Sequence, residues 1–289
     1  MRLFAISDLH VGYAANREAL ASMKEHPNDW LALCGDIGET EEHLETVFKS
    51  LASKFKKLIW VPGNHELWTH HQEPGALNGE QKYLKLVELA RQYNVLTPED
   101  EFPVFTSGGK SYYLAPLFTL YDYSFGPDGY SPEQAIEWAL EEDISCADEY
   151  YLQPAPYSSR QEWCRVLCEK SERKLAALDP AIPIVIIDHF PLRLDLVNVP
   201  AIPRFVIWCG TRLTENWHTK FNVSVVVSGH LHLRSTKWRS GVRFEEVSLG
   251  YPRQWSKEVG MDSYLCEILP DSGQPAYDQY FGLRGRGRS

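Results

Sequence analysis

The stretch Arg2-Leu3-Phe4-Ala5-Ile6-Ser7-Asp8-Leu9-His10 is a short apolar run that ends on a carboxylate and an imidazole separated by one residue. An apolar run ending on polar, ligand-type residues returns four times. Trp30–Leu33 runs into Gly35-Asp36, and Leu58–Val61 into Gly63-Asn64-His65-Glu66. Ile184–Ile187 runs into Asp188-His189, and Val223–Val227 into Gly229-His230-Leu231-His232. Several of these runs are apolar nearly throughout, as fits strands covered on both faces, and Tyr112–Leu117 and Val242–Leu249 are further strand candidates. Helical periodicity falls between them. Glu41–Phe55 carries an apolar stripe of Leu44, Val47, Phe48, Leu51 and Phe55 behind a capping Thr40, and a second helix is predicted over Glu80–Tyr93. Ser159-Arg160-Gln161-Glu162 predicts a capping box opening a helix to about Leu178. Strand–helix alternation argues an α/β fold, in which ligands gather at the carboxyl ends of strands. Those ends hold five of the ten histidines.

Taken singly, the blocks say little: Asp-x-His and Gly-Asp are ordinary strand-end turns. Five in order, each after a strand, are a different matter. Seven residues remain as candidate donors: Asp8, His10, Asp36, Asn64, His189, His230 and His232. Carboxylate, imidazole and amide oxygen together suit manganese, iron or zinc rather than Cu(I) or a cluster. Seven donors exceed one ordinary site but fill two if a carboxylate bridges. Paired metals about 3.5–4 Å apart are the clamp used for in-line phosphoryl hydrolysis.

The five blocks resemble the pattern of the calcineurin-like metallophosphoesterases: D-x-H, G-D, G-N-H followed by an acid, H, and G-H-x-H. The resemblance spans nearly the whole chain. It implies a four-layer α/β/β/α sandwich of two mixed sheets. It also implies two divalent metal ions, Mn and/or Fe, with Zn as an alternative. Asp8, His10, Asp36 and His232 would hold one, and Asp36, Asn64, His189 and His230 the other, with Asp36 bridging. His65 would assist the scissile phosphate without binding metal. Val61–Trp68, Ala115–Phe118, Tyr121–Phe125 and Phe244–Pro252 further resemble the phosphopantetheinyl-hydrolase subgroup of that family. That likeness implies release of 4′-phosphopantetheine from a holo acyl or peptidyl carrier protein. A nucleotide or small-metabolite phosphoesterase, a DNA nuclease and a metal-free scaffold on the same fold are the alternatives.

Composition sets further bounds. At 289 residues, with 44% hydrophobic and 24% charged residues, the chain can bury a core and is not a disordered type. A net charge of −10 disfavours nucleic acid as partner. No apolar run approaches about 18 residues, so no membrane span is expected. The first ten residues are too short in apolar length for a signal peptide, and six cysteines without a C-x-x-C pair fit reduced thiols. A cytoplasmic enzyme is expected. One domain over residues 1–281 is anticipated, with an insertion at 119–159 that carries one helix and could act as a lid; residues 282–289 read as a flexible basic tail. The insertion has nine acidic residues and no Lys or Arg. Arg193–Arg243 reverses the balance, with eight basic residues against Asp195 and Glu215, a candidate docking face for an acidic carrier protein. His70 and His71 read as a polar turn, His218 as a pocket-rim or surface residue, and Glu66 as a turn residue rather than a base.

Overall fold

The computed structural model describes residues 1–69 and 76–271; His70, His71 and the 282–289 tail lie outside the described residues. The chain begins with β1 (Leu3–Ile6), α1 (Ala14–Ala21), β2 (His26–Cys34), α2 (Glu41–Ala52), β3 (Phe55–Val61) and α3 (Asn64–Leu67). It continues with α4 (Gly79–Gln92), β4 (Val104–Ser107), β5 (Lys110–Pro116), α5 (Pro132–Leu140), α6 (Asp148–Tyr151) and α7 (Arg160–Ala176). Then follow β6 (Ile184–Ile187), α8 (Trp217–Lys220), β7 (Val223–Ser228), β8 (Ser235–Arg239), β9 (Val242–Glu246) and β10 (Cys266–Leu269).

Two mixed sheets result. The first has the order β10-β1-β2-β3, with β1, β2 and β3 parallel and β10 antiparallel at its edge. The second has the order β4-β5-β6-β7-β9-β8, with a parallel centre and an antiparallel strand at each edge. Alternation along each strand sorts its side chains into layers. Leu3, Ala5, Ala32, Cys34, Ile59 and Val61 of the first sheet share one cluster with Leu114, Val185, Ile187, Val225 and Val227 of the second. The intervening Phe4, Ile6, Leu31, Leu33, Leu58 and Trp60 face outward and pack with Leu44, Val47, Phe48 and Leu51 of α2. Each of those four α2 side chains is fully buried, worth about 1.5–3 kcal/mol apiece. On the second sheet's outer side, Ile184, Ile186 and Val226 join the cluster that holds Trp163 and Leu167 of α7. The layers are α/β/β/α.

Helix starts follow local chemistry. Thr40 Oγ1 accepts from His43 N at 3.2 Å. Ser159 Oγ accepts from Glu162 N at 3.1 Å, but the expected box is displaced: the Glu162 carboxylate takes Ser158 N at 2.9 Å instead. The α2 stripe stops at Ala52, because Phe55 already opens β3. The 119–159 segment holds two helices, α5 and α6, rather than one. His218 is buried against Phe244, ring centroids 5.5 Å apart, and belongs to neither rim nor surface. Past β9 the chain crosses to the first sheet, where Ser7 N donates to Val247 O at 3.1 Å and Leu249 N to Ser7 O at 2.8 Å. The two sheets are therefore joined beside the end of β1.

Candidate metal centre

Every block sits where a strand stops: Asp8 and His10 after β1, Asp36 after β2, Asn64 and His65 after β3, His189 after β6, and His230 and His232 after β7. The chain turns sharply there. Asp8, His10, Asp36, His230 and His232 have φ of 55°, 41°, 51°, 72° and 54°. Left-handed backbone at a non-glycine residue costs about 1–3 kcal/mol and persists where the surroundings enforce it, often at functional sites. The neighbouring glycines allow close approach. A Cβ at Gly63 would overlap the Asp36 carboxylate, and one at Gly229 the Ser7 hydroxyl and the Asp8 carboxylate.

Tautomers are set by what the other ring nitrogen touches. His189 Nδ1 lies 2.9 Å from the Cys34 carbonyl, so the proton sits there and Nε2 carries a lone pair. Asn64 Nδ2 donates to Asp148 Oδ1 at 2.9 Å, which turns Asn64 Oδ1 toward His189. Two acceptors, His189 Nε2 and Asn64 Oδ1, therefore face each other at 3.2 Å, with Asp36 Oδ1 3.6 Å from the same nitrogen. The buried His230 Nε2 has no hydrogen-bond partner among the described residues.

The other group repeats the pattern. Gln254 Oε1 accepts from Tyr251 N at 2.8 Å, which identifies it as the oxygen, and lies 2.8 Å from His232 Nδ1. With Nδ1–H donated there, His232 Nε2 presents a lone pair 2.9 Å from Asp8 Oδ1 and 3.3 Å from His10 Nε2. Acceptors brought together without donors repel unless a cation or proton lies between them, and the donor set is one that divalent metals take. Asp8/His10/His232 and Asp36/His189/His230 each have ligand atoms within 4.8 Å of one another, as do His10/Asp36/His65. Asp36 belongs to two of these three groups.

Electrostatics follow the same lines. Burial, then Glu66 and Asp8, push the Asp36 carboxyl well above the usual range. Burial opposes charge on Asp8 too, but His232, His189 and His10 hold its carboxyl well below the usual value. Burial lowers His10, His189 and His230, favouring the neutral imidazoles that ligate metals. His232 is raised: burial opposes its charge, and Asp8 and Gln254 outweigh it.

Sequence reasoning missed the supports behind these donors. Asp148, from the acidic segment, accepts from Asn64 and, at 2.6 Å, from Trp68 Nε1. Ser248 Oγ donates to Asp8 Oδ2 at 2.7 Å, and Gln254 orients His232. Glu66 is a turn residue as expected. Its carboxylate accepts Asp36 N at 3.0 Å, Ile37 N at 2.7 Å and Gly63 N at 2.9 Å. Glu66→Gln sets an amide NH₂ against at least one of those N–H groups in either orientation. The expected loss is about 1–3 kcal/mol, seen as a fall of several degrees in melting temperature. An unchanged melt would show that the carboxylate does not clamp the loop.

His65 lies beside the donors. Its ring rests on Trp68 at 3.7 Å and lies 4.8 Å from the His10 ring, with Nε2 3.8 Å from Asp36 Oδ2 and Nδ1 3.4 Å from Glu39 Oε1. A cleft of about 340 Å³ opens over these residues, bordered by Ser145–Ala147 and by Val199, Ile202 and Phe205.

The basic window is not the free face its charge count suggested. Arg204 pairs with Glu141 and Glu142, and Arg212 with Asp128, all in the acidic 119–159 segment. Lys220 pairs with Glu172, Arg193 and Arg239 with Asp195, and Arg243 with Glu245. Arg234 and Lys237 donate to backbone carbonyls.

Two adjoining clusters of metal-type acceptors stand at the strand ends of a two-sheet sandwich, an arrangement suited to metal-dependent hydrolases of phosphoric esters. Within that class the chain belongs to the calcineurin-like phosphoesterase family, whose family model matches residues 1–234. It is 41% identical over 283 residues to the acyl-carrier-protein phosphodiesterase PptH of Mycobacterium tuberculosis, covering 97% of this chain and 87% of that one. The crystal structure of phosphopantetheinyl hydrolase (PptH) from Mycobacterium tuberculosis superposes with a TM-score of 0.89 at 40% identity, covering 94% of this chain and 97% of that one. An uncharacterized protein of Acanthamoeba polyphaga mimivirus is 33% identical over 89 residues, 28% of this chain and 32% of that one.

Proposed function

We propose that this enzyme is a dinuclear metal-dependent phosphodiesterase that releases 4′-phosphopantetheine from a holo acyl or peptidyl carrier protein. One observation carries the dinuclear reading: donor-less acceptor atoms converge in two adjoining groups, and Asp36 stands next to both. Asp8, His10, Asp36 and His232 would hold one cation, and Asp36, Asn64, His189 and His230 the other. The mixed oxygen and nitrogen set suits manganese or iron, with zinc as the alternative. Bound there, the pair supplies an acidified water nucleophile and neutralises charge on the phosphoryl oxygens.

The chain's own residues do the rest. Asp148 and the Cys34 carbonyl hold Asn64 and His189 with their lone pairs inward. Gln254 does the same for His232. Glu66 clamps the loops that carry Asp36 and Asn64. His65, pinned on Trp68, is placed to protonate the departing oxygen. Overall, water adds to phosphorus, the bond from phosphorus to the carrier serine oxygen breaks, and that oxygen takes the proton.

The substrate reading rests on likeness across nearly the whole chain to a protein named for that activity. The intact donor set speaks against a metal-free scaffold. A cytoplasmic setting is supported by six free cysteines, all buried. No helix among the described residues is long and apolar enough to cross a membrane. Incubating the enzyme with Mn(II) and a holo-carrier protein should convert the carrier to its apo mass, with phosphopantetheine in solution, as read by mass spectrometry. An unchanged carrier mass, with a simple phosphodiester still cleaved, would overturn the substrate and leave the class.

A further inference from the structure

The two sides of the cleft differ in chemistry. One borders His230, where the Phe205 ring lies 5.9 Å from the imidazole at an interplanar angle of 22°. Val199, Ile202 and Leu231 line the cleft with Phe205, and none of the four can ionise. Ile202 leaves 43% of its surface exposed although it is wholly apolar. The wall is preformed: Val199, Phe205 and Leu231 share a small cluster with Phe125 and Cys209.

The other side borders His10 and His232. Tyr251 stacks on His10 at 4.6 Å and lies 4.9 Å from His232, and Arg253 lines the cleft two residues further on. Arg253 is exposed and forms no hydrogen bond or ion pair among the described residues. All eight basic residues of Arg193–Arg243 are engaged, so Arg253 contrasts with them as an uncompensated cation at the mouth.

We infer that the substrate is bound in one direction: the pantetheine arm lies along the Val199–Ile202–Phe205 wall, and Arg253 meets the acidic carrier protein around its modified serine. This rests on the carrier-protein reading above. The arm is uncharged, and the first carbon beyond its phosphoester methylene bears two methyl groups, which match the Phe205 and Ile202 faces beside His230. The carrier end is acidic and calls for an unpaired cation. His65 agrees with this polarity. Its ring is 4.8 Å from that of His10, so the group placed to protonate the leaving oxygen is on the Arg253 side, where the serine departs.

Three phosphodiesters test the direction: holo-carrier protein, pantetheine 4′-(p-nitrophenyl) phosphate, and methyl p-nitrophenyl phosphate. Ile202→Asp should lower kcat/KM for the pantetheine ester relative to the methyl ester by about tenfold or more, the scale of losing a few buried methylenes. Ile202→Leu should keep that ratio, and matching melting temperatures should exclude misfolding. Arg253→Glu should raise KM for the carrier several-fold relative to the pantetheine ester, with Arg253→Lys restoring most of it. Added salt should reproduce the loss in the wild type. A pantetheine-to-methyl ratio unmoved by Ile202→Asp overturns the arm site. A carrier KM unmoved by Arg253→Glu, or moved equally with the pantetheine ester, overturns the carrier contact. If wild-type enzyme leaves holo-carrier intact, the proposed function fails, while the two small esters still decide the arm site.

Discussion

Asp36→Asn is expected to abolish phosphoester hydrolysis and to lower metal content from two equivalents toward one. The substitution keeps the shape of the side chain, so His65 N can still donate to an oxygen where it now meets Asp36 Oδ1 at 3.0 Å. What it removes is charge. The second oxygen becomes an NH₂ group, which cannot take a cation. Losing several kcal/mol of charge stabilisation corresponds to about three decades or more in rate. Elemental analysis and turnover on one preparation check both halves. Two retained equivalents with near-normal turnover would overturn the shared position assigned to Asp36.

His65→Asn should behave differently: metal content holds while turnover falls by about 10²–10⁴-fold, the range for losing a positioned general acid. The loss should shrink for esters that expel nitrophenolate, which departs without a proton. Equal losses across leaving groups would place His65 at the phosphoryl oxygens instead. Its ring belongs to one of the three groups whose donor atoms converge, with His10 and Asp36. A drop in metal content would therefore make it a ligand.

The strand-end blocks were legible because their chemistry is local: each donor lies within a few residues of the apolar run that delivers it. The edges of the sheets were not. β8, Ser-Thr-Lys-Trp-Arg, β4, Val-Phe-Thr-Ser, and β10, Cys-Glu-Ile-Leu, hold polar residues in place of a continuous apolar run, so pairing with a distant neighbour creates them rather than intrinsic pattern. Asp148 was invisible for another reason. It is one of nine acids in a single segment, and only the fold shows that it alone reaches Asn64. The basic window misled through range. Arg204 and Glu141 lie 63 positions apart, so counting charge along the chain could not see that they neutralise each other.

The seam at Ser7 and Ser248 gives the centre an architectural meaning. Asp8, His10, Asp36 and Asn64 hang from one sheet, and His189, His230 and His232 from the other. Neither half of the sandwich holds the whole proposed donor set, so a cation seated there would act as a rivet through both layers. Prying the sheets apart would then mean ejecting the ion, and saturating metal is expected to raise the free energy of unfolding by mass action, about 2.7 kcal/mol at a hundred times Kd. A metal bound there would complete the catalyst and fasten the two halves in the same event.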